Sequence, residues 1–170
     1  QTPSHNDGLK AGTITVRATN ASSIDVTTGA ASVAAAFGGG NTVAFSIAIA
    51  AAINTIHTRT AAYVSGYGAD DNGSSVGLRA TTGAISVTAS SSASIYADTI
   101  AASMAVAIGG GSAGVSIAGA GAGAGNDIVG YTKAYVHDSD VRAATDVTVS
   151  TNQTNIIGAN VAAVAAAAGA

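Results

Sequence analysis

Two polar stretches hold the side chains whose type and spacing point most directly to chemistry. Asp70, Asp71 and Asn72 run into Gly73, and Asp138 and Asp140 flank Ser139. Hard oxygen donors at adjacent or alternate loop positions suit Ca²⁺, so these five residues are the candidate metal ligands and calcium is the candidate ion. Neither stretch has the spacing of an EF-hand loop, and Asp and Asn also favour turns, so a polar loop alone accounts for them. His5, His57 and His137 stand apart in the sequence, without the pairing a histidine metal site uses. The run His137-Asp138-Ser139-Asp140 reads as a solvated turn, because no nucleophile with a base and an orienting group is spelled out. The absence of Cys removes thiol catalysis, thiolate metal sites and disulfides together. Residues 109–114, GGGSAG, fit the dinucleotide-loop pattern, but the sister stretch GGGNTV has Val43 where the third glycine would fall. Without a following helix and a distal acid the pattern reads as a turn. The expectation is a protein that is not an enzyme and uses no organic cofactor.

Those two polar stretches occupy equivalent places in a repeat. The segment from Thr13, TITVRATNASSIDVTTGAASVAAAFGGG, returns from Ala84 as AISVTASSSASIYADTIAASMAVAIGGG, and in part from Asp146 as DVTVSTNQTNIIGANVAAVAAAAGA. Repeats at a fixed period bury their apolar faces against one another rather than singly. The chain divides into an extension (1–8), repeat one (9–83, with an edge-loop insertion at 65–77), repeat two (84–145) and an incomplete repeat three (146–170). Gly38, Gly39 and Gly40, with Gly109, Gly110 and Gly111, are expected to make tight reversals through positive-φ backbone.

Each repeat alternates like a strand. Ile14, Val16 and Ala18 oppose Thr13, Thr15, Arg17 and Thr19, and the pattern recurs at Ile85, Val87, Ala89 and at Val147, Val149. Later in repeat two the bulky residues change parity, from Ile95 and Ala97 to Met104, Val106 and Ile108, which predicts a bulge or corner between them. Arms of this length predict breaks near Gly29 and Asn54. The stretches on both sides of each triglycine are small on both parities, as in strands covered on two faces and closely packed. The expected fold is all-β: a β-solenoid of about two and a half repeats, or alternatively a β-sandwich completed by strands from another chain. The uncharged run between Asp98 and Asp127 is long enough to span a bilayer as a helix, but its glycines and missing aromatic belts argue against one. No membrane span is expected.

Hydrophobic residues are 48% of the chain, mostly Ala and Val, with no Trp and two Phe, so the core is thin. Charged residues are only 9%, against roughly 25% in ordinary soluble domains, and the net charge is −3. No basic run is visible and aromatics are few, so nucleic acid is not an expected partner. Asn20, Asn72 and Asn152 fit the N-glycosylation pattern, a match that Ser/Thr-rich chains generate by chance. The chain begins at Gln1 rather than Met, consistent with a removed leader and secretion.

Aligned, the repeats share Ile85, Val87, Ile95, Ala97, Gly109, Gly110, Gly111, Asn126, Ile128, Ala134, Tyr135 and Val136 with Ile14, Val16, Ile24, Val26, Gly38, Gly39, Gly40, Asn54, Ile56, Ala62, Tyr63 and Val64. The pattern resembles the Gly/Ala/Val-rich repeats of very large bacterial surface proteins, the haemagglutinin-like or adhesin-like extracellular repeat proteins. The resemblance implies a secreted or cell-surface structural protein used for display, adhesion or matrix. The expected function is a self-assembling subunit of an extracellular filament or surface matrix, a homopolymer joined head to tail through strand edges. Val147, Val149, Ile156, Ile157, Val161 and Val164 are the candidate assembly residues. The alternative is a fragment of a monomeric adhesin that binds a glycan or host protein through its edge loops, with Tyr67 and Tyr131 as aromatic contacts.

Overall fold

A computed structural model describes residues 8–68, 77–111 and 113–170. The described residues form eight strands and no helix: β1 (Lys10–Ala11), β2 (Ile14–Gly38), β3 (Thr42–Ser65), β4 (Leu78–Ala80), β5 (Ile85–Gly109), β6 (Gly114–His137), β7 (Val141–Arg142) and β8 (Val147–Gly169). They pair as β1-β4-β7, β2-β5-β8 and β3-β6. Each sheet therefore collects the same element from successive repeats, which is the winding of a parallel β-solenoid-like fold. The pairing is parallel: Lys10 lies beside Arg79 and Arg79 beside Arg142. In the long strands, Ile14 N–H donates to Ala84 at one end and Gly110 N–H to Gly38 at the other. Among the described residues nothing closes a barrel.

The long strands are unbroken, against the expectation of breaks at Gly29 and Asn54. Gly29 sits at an exposed position where an added Cβ would meet nothing, so it imposes no bend. Asn54 is held in line by its equivalent, donating from Nδ2 to Asn126 Oδ1 at 2.9 Å.

The expected bulge in β5 is also absent. Ile85, Val87, Ile95, Ala97, Ala101, Ala105 and Ala107 are all buried, so one parity points inward from end to end. Met104 and Ile108 lie on the exposed parity, at 46% and 45% exposure. The pattern misleads because side-chain size and burial run in opposite senses beyond Ile95: the inward positions from Ala97 to Ala107 hold only Ala, Ser and Thr, and the large side chains there are turned out.

Two compact units result, each drawing on all three repeats. One comprises residues 1–22, 57–93 and 129–155, the other 23–56, 94–128 and 156–170. In the first, Ile14, Val64, Leu78, Ile85 and Val87 build the larger core, with Ala62, Ala80 and Ala89 filling between them. In the second, beside the buried Ile56 and Ile95, the packed clusters are alanine: Ala44 packs with Ala105 and Ala107, and Ala48 and Ala50 with Ala101. Serines punctuate that layer. Ser103 Oγ donates to the Ser46 carbonyl and contacts its hydroxyl, both at 2.9 Å, and Ser32 and Ser46 hydroxyls share a bond of 2.7 Å. A buried hydroxyl needs such partners, and opposed sheets supply them only when they approach closely.

The two triglycines lie one above the other, with Gly110 N–H donating to Gly38 at 2.7 Å. Positive φ is not what selects most of them, since only Gly111, at +103°, has it. Close approach is the commoner reason: a Cβ on Gly38 would lie 3.0 Å from the Thr42 methyl, and one on Gly110 would lie 3.2 Å from the Gly38 carbonyl.

Candidate functional site

The first unit carries the chemistry. All six Lys and Arg of the chain belong to it, whereas the charges of the second unit are Asp25, Asp98 and Asp127. Three of the six cations share one short sheet. Lys10 on β1, Arg79 on β4 and Arg142 on β7 are register partners, each on the exposed parity, so their side chains form a column one strand spacing apart, about 4.8 Å. Leu78 and Ala80 hold β4 in place by burying into the core on either side of Arg79. A shallow cleft is lined by Lys10, Gly77, Leu78, Arg79, Asp140 and Arg142, and a second depression by Arg79, Thr81, Arg142 and Ala144. Among the described residues, none of the three cations forms a salt bridge.

No basic run is legible in the sequence because each repeat contributes one cation and the solenoid winding brings them together. A signal was nevertheless present in the triplets Leu9-Lys10-Ala11, Leu78-Arg79-Ala80 and Val141-Arg142-Ala143, which recur just before each alternating segment.

The edge loops do meet. Tyr67 N–H donates to Ser139 Oγ at 3.1 Å, and Asp140 N–H donates to the Tyr67 carbonyl at 2.8 Å. Of the candidate calcium ligands, Asp70, Asp71 and Asn72 lie outside the described residues, as do most of the 65–77 insertion and of the 1–8 extension. Asp138 adopts φ +48° and its carboxylate contacts His137 Nδ1 at 3.0 Å, both side chains well exposed. Asp140 opens instead onto the cleft of Lys10, Arg79 and Arg142, surroundings that favour an anion over a cation. Among the described residues no three acidic or histidine side chains gather at one point.

Tyr131 lies elsewhere, on the outer face of the β3-β6 sheet. Lys133 Nζ is 4.6 Å and the Arg59 guanidinium 5.5 Å from its ring centre. Tyr63 and Tyr135, equivalent residues of successive repeats, stack at 5.2 Å with ring planes 6° apart. Asn20 points into the solenoid with its amide toward Ser91, a poor posture for a glycan acceptor, whereas Asn152 is exposed on β8.

β8 is the edge of its sheet, and it is exposed along its length except at Gly158, over which the Tyr96 ring lies. The six candidate assembly residues are all on it and all exposed. Val147, Val149, Ile157 and Val161 continue the inward parity of β5, while Ile156 and Val164 face the other way. The strand's hydrogen bonding alternates with the same period. Asp146 and Ala170 turn their backbone groups toward β5, so the odd-numbered residues between them present N–H and C=O to the open side.

No protein family, no characterised protein and no solved structure matches this chain, so its function is read from the geometry alone.

Proposed function

We propose that this chain is a structural subunit of an extracellular filament or surface matrix, adding copies head to tail through strand edges. The observation that carries the reading is the open edge of β8, a strand of 23 residues whose outward backbone groups repeat the pattern that β5 offers to it. An unpaired edge of that length is a template for another strand. Equivalent residues already stack coil on coil, at Asn54 with Asn126 and Tyr63 with Tyr135, so a coil from another copy extends columns that exist. A non-closing head-to-tail contact of this kind generates a filament. Secretion and surface display accord with the resemblance of the repeats to large bacterial surface proteins.

The test uses proline at the open edge. Val149→Pro and Val161→Pro each remove an N–H that faces away from β5, and proline is tolerated at such edge positions. Electron microscopy of the purified chain at rising concentration is expected to show filaments of fixed axial repeat, and both variants are expected to remain folded and unassembled. Filaments of unchanged length from both variants would sink the proposal.

The meeting of the edge loops at Tyr67, Ser139 and Asp140 favours a second reading, a surface adhesin that binds a glycan or host protein there. Its signature is a saturable ligand with no self-association.

A further inference from the structure

The column Lys10–Arg79–Arg142 has no role in either reading. Like charges placed opposite one another on neighbouring strands destabilise a sheet. This chain does so twice in succession, Lys10 beside Arg79 and Arg79 beside Arg142, using half of its Lys and Arg while its net charge is negative. The side chains stand beside two shallow depressions rather than on a convex ridge. One carboxylate, Asp140, shares the first of these, which leaves the cleft with an excess of two positive charges among the described residues.

We propose that this column binds a linear anionic polysaccharide carrying a carboxylate on every sugar. The basis is charge complementarity along a line. The cations recur at about 4.8 Å along the stacking direction, fixed by the backbone, and a linear polyuronate carries a carboxylate on every sugar. Successive sugars of an extended chain turn their carboxylates to different sides, so the long side chains reach for them from the column, Arg79 and Arg142 each offering a planar fork to a carboxylate and Lys10 a point charge. The open depressions on both sides admit a chain that runs through rather than one that ends. A nucleic acid fits less well, because among the described residues no aromatic side chain lines either depression to take a base. The inference goes beyond the filament reading and holds whether or not copies add at the β8 edge.

The test is isothermal titration calorimetry of the full chain with polygalacturonate, a galacturonate trisaccharide, galacturonate itself, neutral dextran, single-stranded oligothymidylate and linear polyphosphate. Polygalacturonate and the trisaccharide are expected to bind, the single sugar at least about tenfold more weakly and dextran not at all. Three released counterions set a slope of about 2–3 in the logarithm of affinity against the logarithm of salt. Arg79→Ala, in the middle of the column and exposed, is expected to lose about tenfold or more, whereas Arg17→Ala, a cation of the same unit outside the column, should change affinity less than about twofold. Equal losses from the two variants would mean a diffuse charge effect and overturn the proposal. So would polyphosphate or oligothymidylate binding as tightly as polygalacturonate, or no binding at low salt by chain of native circular dichroism. Micrographs of the same samples separate the two ideas: filaments without polyuronate binding refute this one alone, and binding without filaments refutes the other alone.

Discussion

The inverted packing of the alanine layer makes a prediction opposite to the one hydropathy would make. Met104 and Ala105 are neighbours on β5, the first 46% exposed and the second fully buried among Ala44, Ala107, Ala34, Ala36 and Ala118. Burying a Met side chain fully contributes about 1.5–3 kcal/mol, so a half-exposed one contributes about half of that and Met104→Ser should cost about 1 kcal/mol. Ile53, at 86% exposure, has less to lose, and Ile53→Thr should stay within about 0.5 kcal/mol. Ala105→Leu forces three extra carbons between sheets whose neighbours are alanine, and overpacking of this kind costs about 1–3 kcal/mol or more. The order of damage is therefore Ala105→Leu, then Met104→Ser, then Ile53→Thr. Urea unfolding followed by circular dichroism reads it directly: with a slope of about 2 kcal/mol per molar, Ala105→Leu lowers the midpoint by about 0.5–1.5 M and Ile53→Thr by about 0.25 M or less. A fold in which Met104 and Ile53 pointed inward would give the reverse, a loss of about 2–5 kcal/mol for each large-to-small change and a tolerated leucine. That order would refute the inward and outward faces of β3 and β5 in the second unit.

Two further outcomes follow from local geometry. The Asn54–Asn126 bond is reinforced by Asn126 donating to the Gly158 carbonyl at 3.4 Å, so Asn54→Ala leaves a half-buried acceptor unpaired; a thermodynamic cycle with Asn126→Ala should give a coupling of about 0.5–1.5 kcal/mol, and a coupling near zero would show that the pair is not formed. Within the turns, Gly111→Ala at φ +103° should cost about 1–3 kcal/mol, while Gly39→Ala, where a Cβ meets nothing, should fall within about 0.5 kcal/mol of the parent by thermal melting.

The repeat, the all-β class and the stacking of equivalent residues were legible because they rest on periodicity, which survives any detail of packing. Ile14 with Ile85 and Val87 shows the period of two with large residues inward, and there the reading and the structure agree. From Ala97 onward the inward residues are Ala, Ser and Thr, and a reading that equates bulk with burial follows Met104 and Ile108 to the wrong face. The distance between the sheets was the missing quantity, and no residue states it. The basic column is illegible in the sequence for a different reason. A sequence displays charge as a run along the chain, while a solenoid gathers charge across it, so Lys10, Arg79 and Arg142 come together only when the repeats are placed side by side.

Stacking in parallel register constrains which residues a coil accepts. Whatever one coil presents, the next presents again one strand spacing away, so neutral pairs such as Asn54 with Asn126 or Tyr63 with Tyr135 gain from repetition. A charge repeated in the same way meets its own kind. The low charged fraction of 9% accords with that rule, as does the confinement of every Lys and Arg to one unit. The sheet β1-β4-β7 breaks the rule in both of its pairings, although uncharged residues at the same exposed positions would carry no repulsion. Where a chain contradicts its own packing logic repeatedly and in register, the reason lies outside the packing. A linear ligand of opposite charge supplies one, because it turns the repulsion between coils into a shared attraction.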